Sequence, residues 1–277
     1  MIQSPDIGKM ILEHTADSHV IELPFGKAIH LPEGWYIPGT HIDLAPTKHV
    51  VFMIFAAFLV FVTLWYAGRQ VDKRHREGKG PRGFGAAVEA MVLFVRDDVA
   101  IASIGHGGGK FVPLIETLFF FILYCNLLGL FPWGATPTGN LAVTGGLALI
   151  AFLVIEISGF RALGPKGYLK TIVMVPAGMT GVGAVIMAFI MTPVELIGKL
   201  VKPFALCLRL FANMTAGHFV ILSLLGLIFL FANWFIAGGT VAFVLFMMCL
   251  ELLVAFLQAY IFALLTSVFI GLMQHEH

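Results

Sequence analysis

Pro203-Phe-Ala-Leu-Cys-Leu-Arg209-Leu-Phe-Ala-Asn213-Met-Thr-Ala-Gly-His218 sets a guanidinium inside one of the most apolar regions of the chain. From Pro203 to Gln274 the only formal charges are Arg209 and Glu251, and His218 is the one other titratable group of the usual acid and base kinds. An arginine stays protonated at any physiological pH, and holding it at bilayer depth costs roughly 2.5–3.5 kcal/mol on insertion scales. A cost of that size marks Arg209 as a functional residue.

Outward from this stretch the chain stays apolar. Hydrophobic residues make up 59% of it and charged ones 12%, against about 25% charged in an ordinary soluble domain. A membrane span takes about 20 mostly apolar residues. Residues 50–67, 117–133, 139–160, 171–194, 219–250 and 252–274 are long enough and carry a single charge among them, Glu156. Runs of this length without strand-type alternation exclude barrel strands. The chain therefore reads as an all-α integral membrane protein, one membrane domain over residues 1–277.

Charge distribution sets the expected orientation. The first 47 residues hold Asp6, Glu13, Asp17, Glu22, Glu33 and Asp43 against two lysines, whereas Arg69, Lys73, Arg74, Arg76, Lys79 and Arg82 face only Asp72 and Glu77. By the positive-inside rule that loop is cytoplasmic and the N-terminus lies outside. Arg161, Lys166 and Lys170 mark a second cytoplasmic loop. Topology accounts for the basic loop, so no nucleic-acid partner is expected; membrane lipid is. The N-terminus lacks a short charged-then-apolar start, and no cleaved signal peptide is expected. Cys125, Cys207 and Cys249 lie in apolar segments without ligand spacing, and no His-x-x-x-His pair falls within a span, so no metal site is expected.

The expected organisation is a loop-like or partly helical outer segment over 1–47, a first span at 48–68 and a cytoplasmic loop at 69–83. Over 84–105, Val88, Met91, Val92, Val95 and Val99 share a helical arc away from Glu89, Arg96 and Asp97, which predicts an amphipathic helix at the cytoplasmic surface. Spans two and three with their cytoplasmic loop occupy 111–170, and channel-forming helices occupy 171–277. Pro176, Gly178, Gly181, Gly183 and Pro193 interrupt the approach, which predicts a bent or re-entrant segment leading into a long helix from Pro193 to Leu230. A turn at Asn233 to Gly239 and a last long helix to Met273 complete five transmembrane crossings plus the interfacial helix, with the C-terminus cytoplasmic.

Helical geometry sorts the polar residues of this last part. At 100° per residue Asn213 and Glu195 each lie about 40° round from Arg209, so the three share a face. His218 points the other way, about 13.5 Å further along. On the last helix Glu251 and Gln258 share a face about 10.5 Å apart. If the two helices are antiparallel with Gln258 level with Arg209, Glu251 arrives at the depth of His218. Asn213 and Gln258 could serve as interhelical glue, and Arg209 with Glu251 could be a plain ion pair. The carboxylates Glu116, Glu156, Glu195 and Glu251 are too many for one arginine, which favours a proton path.

The string LRLFANMTAGH, with Gln258-Ala-Tyr-Ile-Phe in the final helix, resembles subunit a of the F-type ATP synthases. His41-Ile-Asp43, Asn126-Leu-Leu-Gly-Leu-Phe-Pro and Glu195 with Lys202-Pro203 extend the likeness over most of the chain. The resemblance implies a non-catalytic stator subunit of a bacterial inner-membrane complex. Its partners would be the rotating c-ring and the peripheral-stalk b subunits, with the last two helices long, tilted and antiparallel against the ring. It gives Arg209 the place facing the rotor carboxylates and makes Asn213 and Gln258 its polar neighbours. His218 and Glu251 become the histidine and acid of the outer half-channel, in an order swapped relative to some bacterial members. Asp43, Asn126 and Asn140 are weaker outer-channel candidates and Glu195 an inner one; no cofactor is implied. A Na⁺-coupled version of the same subunit remains open, as does a self-contained channel or secondary transporter, although no internal repeat supports the last.

Overall fold

The computed structural model describes residues 17–23, 27–32, 34, 45–78, 80, 82–105, 107–131, 134–173, 182–231 and 234–275. Five of its helices are long and apolar enough to cross a membrane. In chain order the helices are α1 (Lys48–Arg76), α2 (Phe84–Phe94), a π-helical turn (Val95–Ile101), the short α3 (Ala102–Ile104), α4 (Val112–Gly129), α5 (Leu141–Ile172), α6 (Val182–Phe231) and α7 (Trp234–His275). The chain is a multi-pass, all-α membrane protein.

Apolar side chains all round a helix serve two environments here. On α4 Ile115, Phe119, Ile122 and Cys125 are buried between α1 and α7, which makes α4 the centre of the bundle. On α1 Ile54, Phe58, Phe61 and Trp65 are exposed, as a lipid-facing surface should be. α5, α6 and α7 pack against one another on the far side of α4. At 1.5 Å per residue the 50 residues of α6 span about 75 Å, far more than the roughly 30 Å hydrocarbon layer, so the helix crosses obliquely or projects beyond it.

Several boundaries differ from the sequence expectation. The outer segment contains an antiparallel hairpin, β1 (Val20–Leu23) with β2 (Lys27–His30), paired from Val20 opposite His30 to Leu23 opposite Lys27. Four-residue strands are too short for alternation to stand out in a sequence. α1 runs past the first span to Arg76, so Arg69, Lys73, Arg74 and Arg76 form its last turns. There they complement the negative end of the helix dipole, and the Arg69 guanidinium sits 4.0 Å above the Trp65 ring.

The interfacial helix is present over Phe84–Ile104 but widens into a π turn. That extra residue rephases the helix, which is how Val88, Val95 and Val99 are all buried while Asp97 and Asp98 face outward.

The loop expected at residues 161–170 is mostly helical, because α5 continues to Ile172 through a break at Gly164, whose φ of 68° only glycine adopts freely. Pro165 then restarts the helix. Tyr168 donates a hydrogen bond to Glu156 twelve residues earlier, a separation of about 18 Å along a straight helix. The break folds the tail of α5 back along its own body. α6 begins at Val182 rather than Pro193, and carries Pro193 and Pro203 inside it; neighbouring helices and side chains can satisfy the carbonyls a proline frees. Pro176, Gly178 and Gly181, the core of the expected re-entrant segment, fall outside the described residues. The expected turn at Asn233 to Gly239 is shorter, since α7 has already begun at Trp234 with Gly238 and Gly239 in its body, and it ends at His275 rather than Met273.

Gly271 shows how closely α7 meets the interfacial layer. A Cβ there would strike the backbone carbonyl of Ser103 and stand 3.2 Å from Ile104 Cα. Backbone cannot swing aside, so Gly271→Ala is expected to cost about 1–3 kcal/mol. A lowered unfolding midpoint of the chain in detergent micelles checks this, with Gly146→Ala, where a Cβ meets nothing within 4 Å, as the neutral control.

Candidate functional site

A cavity of about 290 Å³ opens between the α4–α5 connection, the start of α1 and the facing sides of α6 and α7. His218 of α6 and Glu251 of α7 both line it, with His49, Thr136 and Thr215. The antiparallel register therefore does bring the histidine and the acid to one depth. Gly217 permits it: a Cβ at that position would lie 2.6 Å from Glu251 Oε1 and 2.9 Å from Cδ. The carboxylate occupies the space a side chain would take.

Glu251 is buried, and neither of its oxygens has a hydrogen-bond partner among the described residues. An ionised carboxylate left so would be costly to hold in an apolar bundle. The His218 ring is hydrogen-bonded through Nε2 to Thr136 Oγ1. One step along the same connection, Thr138 Oγ1 donates to Asn126 Oδ1 at 2.6 Å, and Asn126 Nδ2 donates to the Ala255 carbonyl at 3.2 Å. Ala255 lies one helical turn from Glu251. Fully buried Asn126 is thus a strut between α4, the α4–α5 connection and α7.

Arg209 stands elsewhere. It is exposed on α6 and makes no ion pair with a described carboxylate, which removes the plain Arg209–Glu251 pair. Phe204 and Leu208 are exposed around it. Asn213, one turn on, is half-buried, and Gln258 of α7 is buried. Glu195 lines a second, smaller cavity of about 50 Å³ with Glu156, Lys199, Lys202 and Met273. The polar residues of the last two helices therefore divide into a cluster at one cavity, a cluster at another, and an arginine on an open face.

Asn140 caps α5, its Oδ1 accepting from Ala142 N at 2.9 Å, and its Nδ2 donates to Asp17 Oδ2 at 3.0 Å. Asp43 lies outside the described residues. Sequence reasoning passed over Thr136, Thr138, His49 and Lys199. The buried Lys199 ammonium donates to Thr171 Oγ1 at 3.0 Å, lies 3.9 Å from Glu156 Oε2 and sits 4.8 Å from the Tyr168 ring centre. Thr171 and Tyr168 come from the folded-back tail of α5 and Glu156 from its body. A lysine within an apolar helix was the available signal, but its partners depend on the Gly164 break.

A profile of the ATP synthase A chain family matches residues 50–271. The chain belongs to the ATP synthase A chain family. It is 48% identical over 267 residues to ATP synthase subunit a of Chloroherpeton thalassium, covering 96% of this chain and 77% of that one. The corresponding protein of Myxococcus xanthus is 48% identical over 252 residues, with 88% and 80% covered. ATP synthase subunit a 2 of Chlorobaculum tepidum is 43% identical over 267 residues, with 96% and 72% covered. Membership makes the chain a non-catalytic membrane subunit of ATP synthase, part of a larger complex and concerned with ion transport in ATP synthesis. Within the matched region lie Glu195, Arg209, His218 and Glu251.

Proposed function

We propose that the chain is the proton-translocating stator of a rotary ATP synthase, offering two offset half-channels to a c-ring. The observation that carries this reading is the separation of Glu251 from Arg209: a buried acid at a cavity wall and a cation on an exposed apolar face, neither paired among the described residues. The cavity at His218 and Glu251 is the outer half-channel, with Asn126 and Asn140 bracing the elements around it, and the cavity at Glu195 is the inner one. The long exposed face of α6, from Phe189 through Ile197 and Phe204, is the surface for the ring, flanked by Asn213 and Gln258. The b subunits of the peripheral stalk bind elsewhere on the bundle.

The chemistry follows from one fixed charge. A rotor carboxylate travels through lipid in its neutral form, but beside Arg209 the charged form is favoured, so the proton leaves toward the inner cavity. Arg209 cannot itself carry a proton, and it closes the direct route between the cavities. The membrane potential, about 2.3 kcal/mol per charge per 100 mV, then turns the ring instead of leaking past it. Proton rather than Na⁺ coupling is favoured by His218, whose imidazole can accept a proton but brings no oxygen ligand for Na⁺. Copurification with a ring of small hairpin proteins, and proton flux only when chain and ring are reconstituted together, are the expected results. Ion flux from the purified chain alone would instead make it a self-contained channel.

The orientation places the N-terminus outside and the C-terminus in the cytoplasm of a bacterial cell, across its inner membrane. Gly34 and Gly78 take positive φ and are poor sites for a reporter. Arg82→Cys and Leu141→Cys, both at exposed positions, are expected to react with an impermeant thiol reagent from opposite sides, in a background with Cys249 replaced by alanine. Labelling of both from one side would overturn the five-crossing orientation.

A further inference from the structure

The start of α1 carries a titratable pair that the path through His218 and Glu251 leaves unused. His49 Nδ1 lies 2.7 Å from Asp17 Oδ1, and Asp17 Oδ2 accepts from Asn140 Nδ2 at 3.0 Å. One carboxylate therefore ties the first turn of α1 to the cap of α5. The two partners differ in exposure: the Asp17 side chain is 34% accessible and that of His49 only 6%. His49 also lines the cavity that holds His218 and Glu251. The pair thus spans from water to the cavity wall.

A tether alone would need a hydrogen bond and no titratable ring. The imidazole offers more: with Nδ1–H given to the carboxylate, the second ring nitrogen can take up and release a proton, and the adjacent negative charge holds the imidazolium that forms. The charged groups about it are Asp17, Lys48 beside it in α1, and His218 and Glu251 on the same cavity, with His19 two residues beyond Asp17.

We propose that Asp17 and His49 are the proton-collecting station at the mouth of the outer half-channel, feeding Glu251 and His218. This rests on the half-channel assignment made above. Nε2 of the neutral ring takes a proton from water at the mouth, the imidazolium is held by the Asp17 carboxylate, and the same N–H passes its proton to water deeper in the cavity. One proton enters and one leaves, and the pair returns to neutral imidazole and carboxylate. The acidic group concentrates protons where they are scarce, which matters most at high outer pH.

The test is passive proton flux through the assembled membrane sector in vesicles, measured against outer pH for Asp17→Asn, His49→Gln and Asp17→Glu. Glutamine keeps a donor for Asp17 without titrating. At an outer pH of about 8 the first two variants are expected to slow flux by about threefold to tenfold, the low end of what charge focusing at a cleft supplies. At about pH 6, where protons from bulk water are abundant enough to enter without a collecting group, the deficit is expected to vanish; Asp17→Glu should keep most of the flux at both. Unchanged flux at both pH values overturns the proposal, as does an equal loss at both, which would mark a tether only. If Asp17→Asn fails to assemble with the ring, the His49→Gln profile decides. Glu251→Gln is the separate control: if it leaves flux intact at both pH values, the half-channel assignment fails irrespective of His49.

Discussion

Arg209→Ala abolishes ATP-driven proton pumping in membrane vesicles while the assembled sector passes protons passively: that is the expected result, read by fluorescence quenching of a pH dye with and without ATP. Both halves follow from one location. The guanidinium is exposed on α6 with no described carboxylate paired to it, so its removal breaks no ion pair among the described residues and the chain should assemble at normal levels. On the proposed mechanism, what disappears is the charge that forces the rotor carboxylate to ionise and the barrier between the two cavities. Arg209→Lys is expected to fail as well, since an ammonium is a more strongly hydrated point charge and cannot present a planar fork to a passing carboxylate. Normal pumping by a stably assembled Arg209→Ala variant would remove the arginine from the mechanism.

How much of this could be read without coordinates depended on the scale of the signal. Five crossings, the interfacial helix and the two long terminal helices rest on runs of apolar residues and on charge asymmetry, which are properties of tens of residues and survive local error. Helical spacing also placed His218 and Glu251 at one depth, and the structure brings them to one cavity. Local breaks were less legible. Gly164 reverses the tail of α5, whereas Gly145 and Gly146 sit inside the same helix without disturbing it; only the backbone angle distinguishes them. Pro193 looked like a helix start, yet α6 carries it in its interior.

The site's supporting residues were hidden for a related reason. Thr136, Thr138 and Asn126 are polar residues of ordinary kinds, and their meaning comes from a bonding pattern that joins three elements. Lys199 pairs with Glu156, forty-three positions away by number, only because the α5 tail folds between them. Asp17 was one of six acidic residues in the N-terminal segment, and His41-Ile-Asp43 drew the reading to Asp43 instead. Pairing across such distances is set by tertiary packing, which a single sequence does not report.

Glu251 and His218 should behave as one coupled unit, with Glu251 the heavier member. Glu251→Gln keeps the shape that fits against Gly217 and removes the proton site, so proton uptake is expected to fall by about 100-fold or more, within the range a positioned acid or base supplies. His218→Ala should cost less, about tenfold, because water held by Thr136 can stand in for the ring. Exchange of the two, His218→Glu with Glu251→His, retains an acid and a base at the same depth and should recover more flux than Glu251→His alone. Recovery will be partial, since the pocket beside Gly217 is shaped for a carboxylate: a Cβ there already comes within 2.6 Å of Glu251 Oε1, and an imidazole is bulkier. The measurement is passive flux through the membrane sector for wild type, both singles and the double, compared as a cycle. A double variant no better than the sum of the single losses would show that the two residues act independently. The path would then have to run through Thr138 and Asn126, where Asn126→Leu should block flux outright.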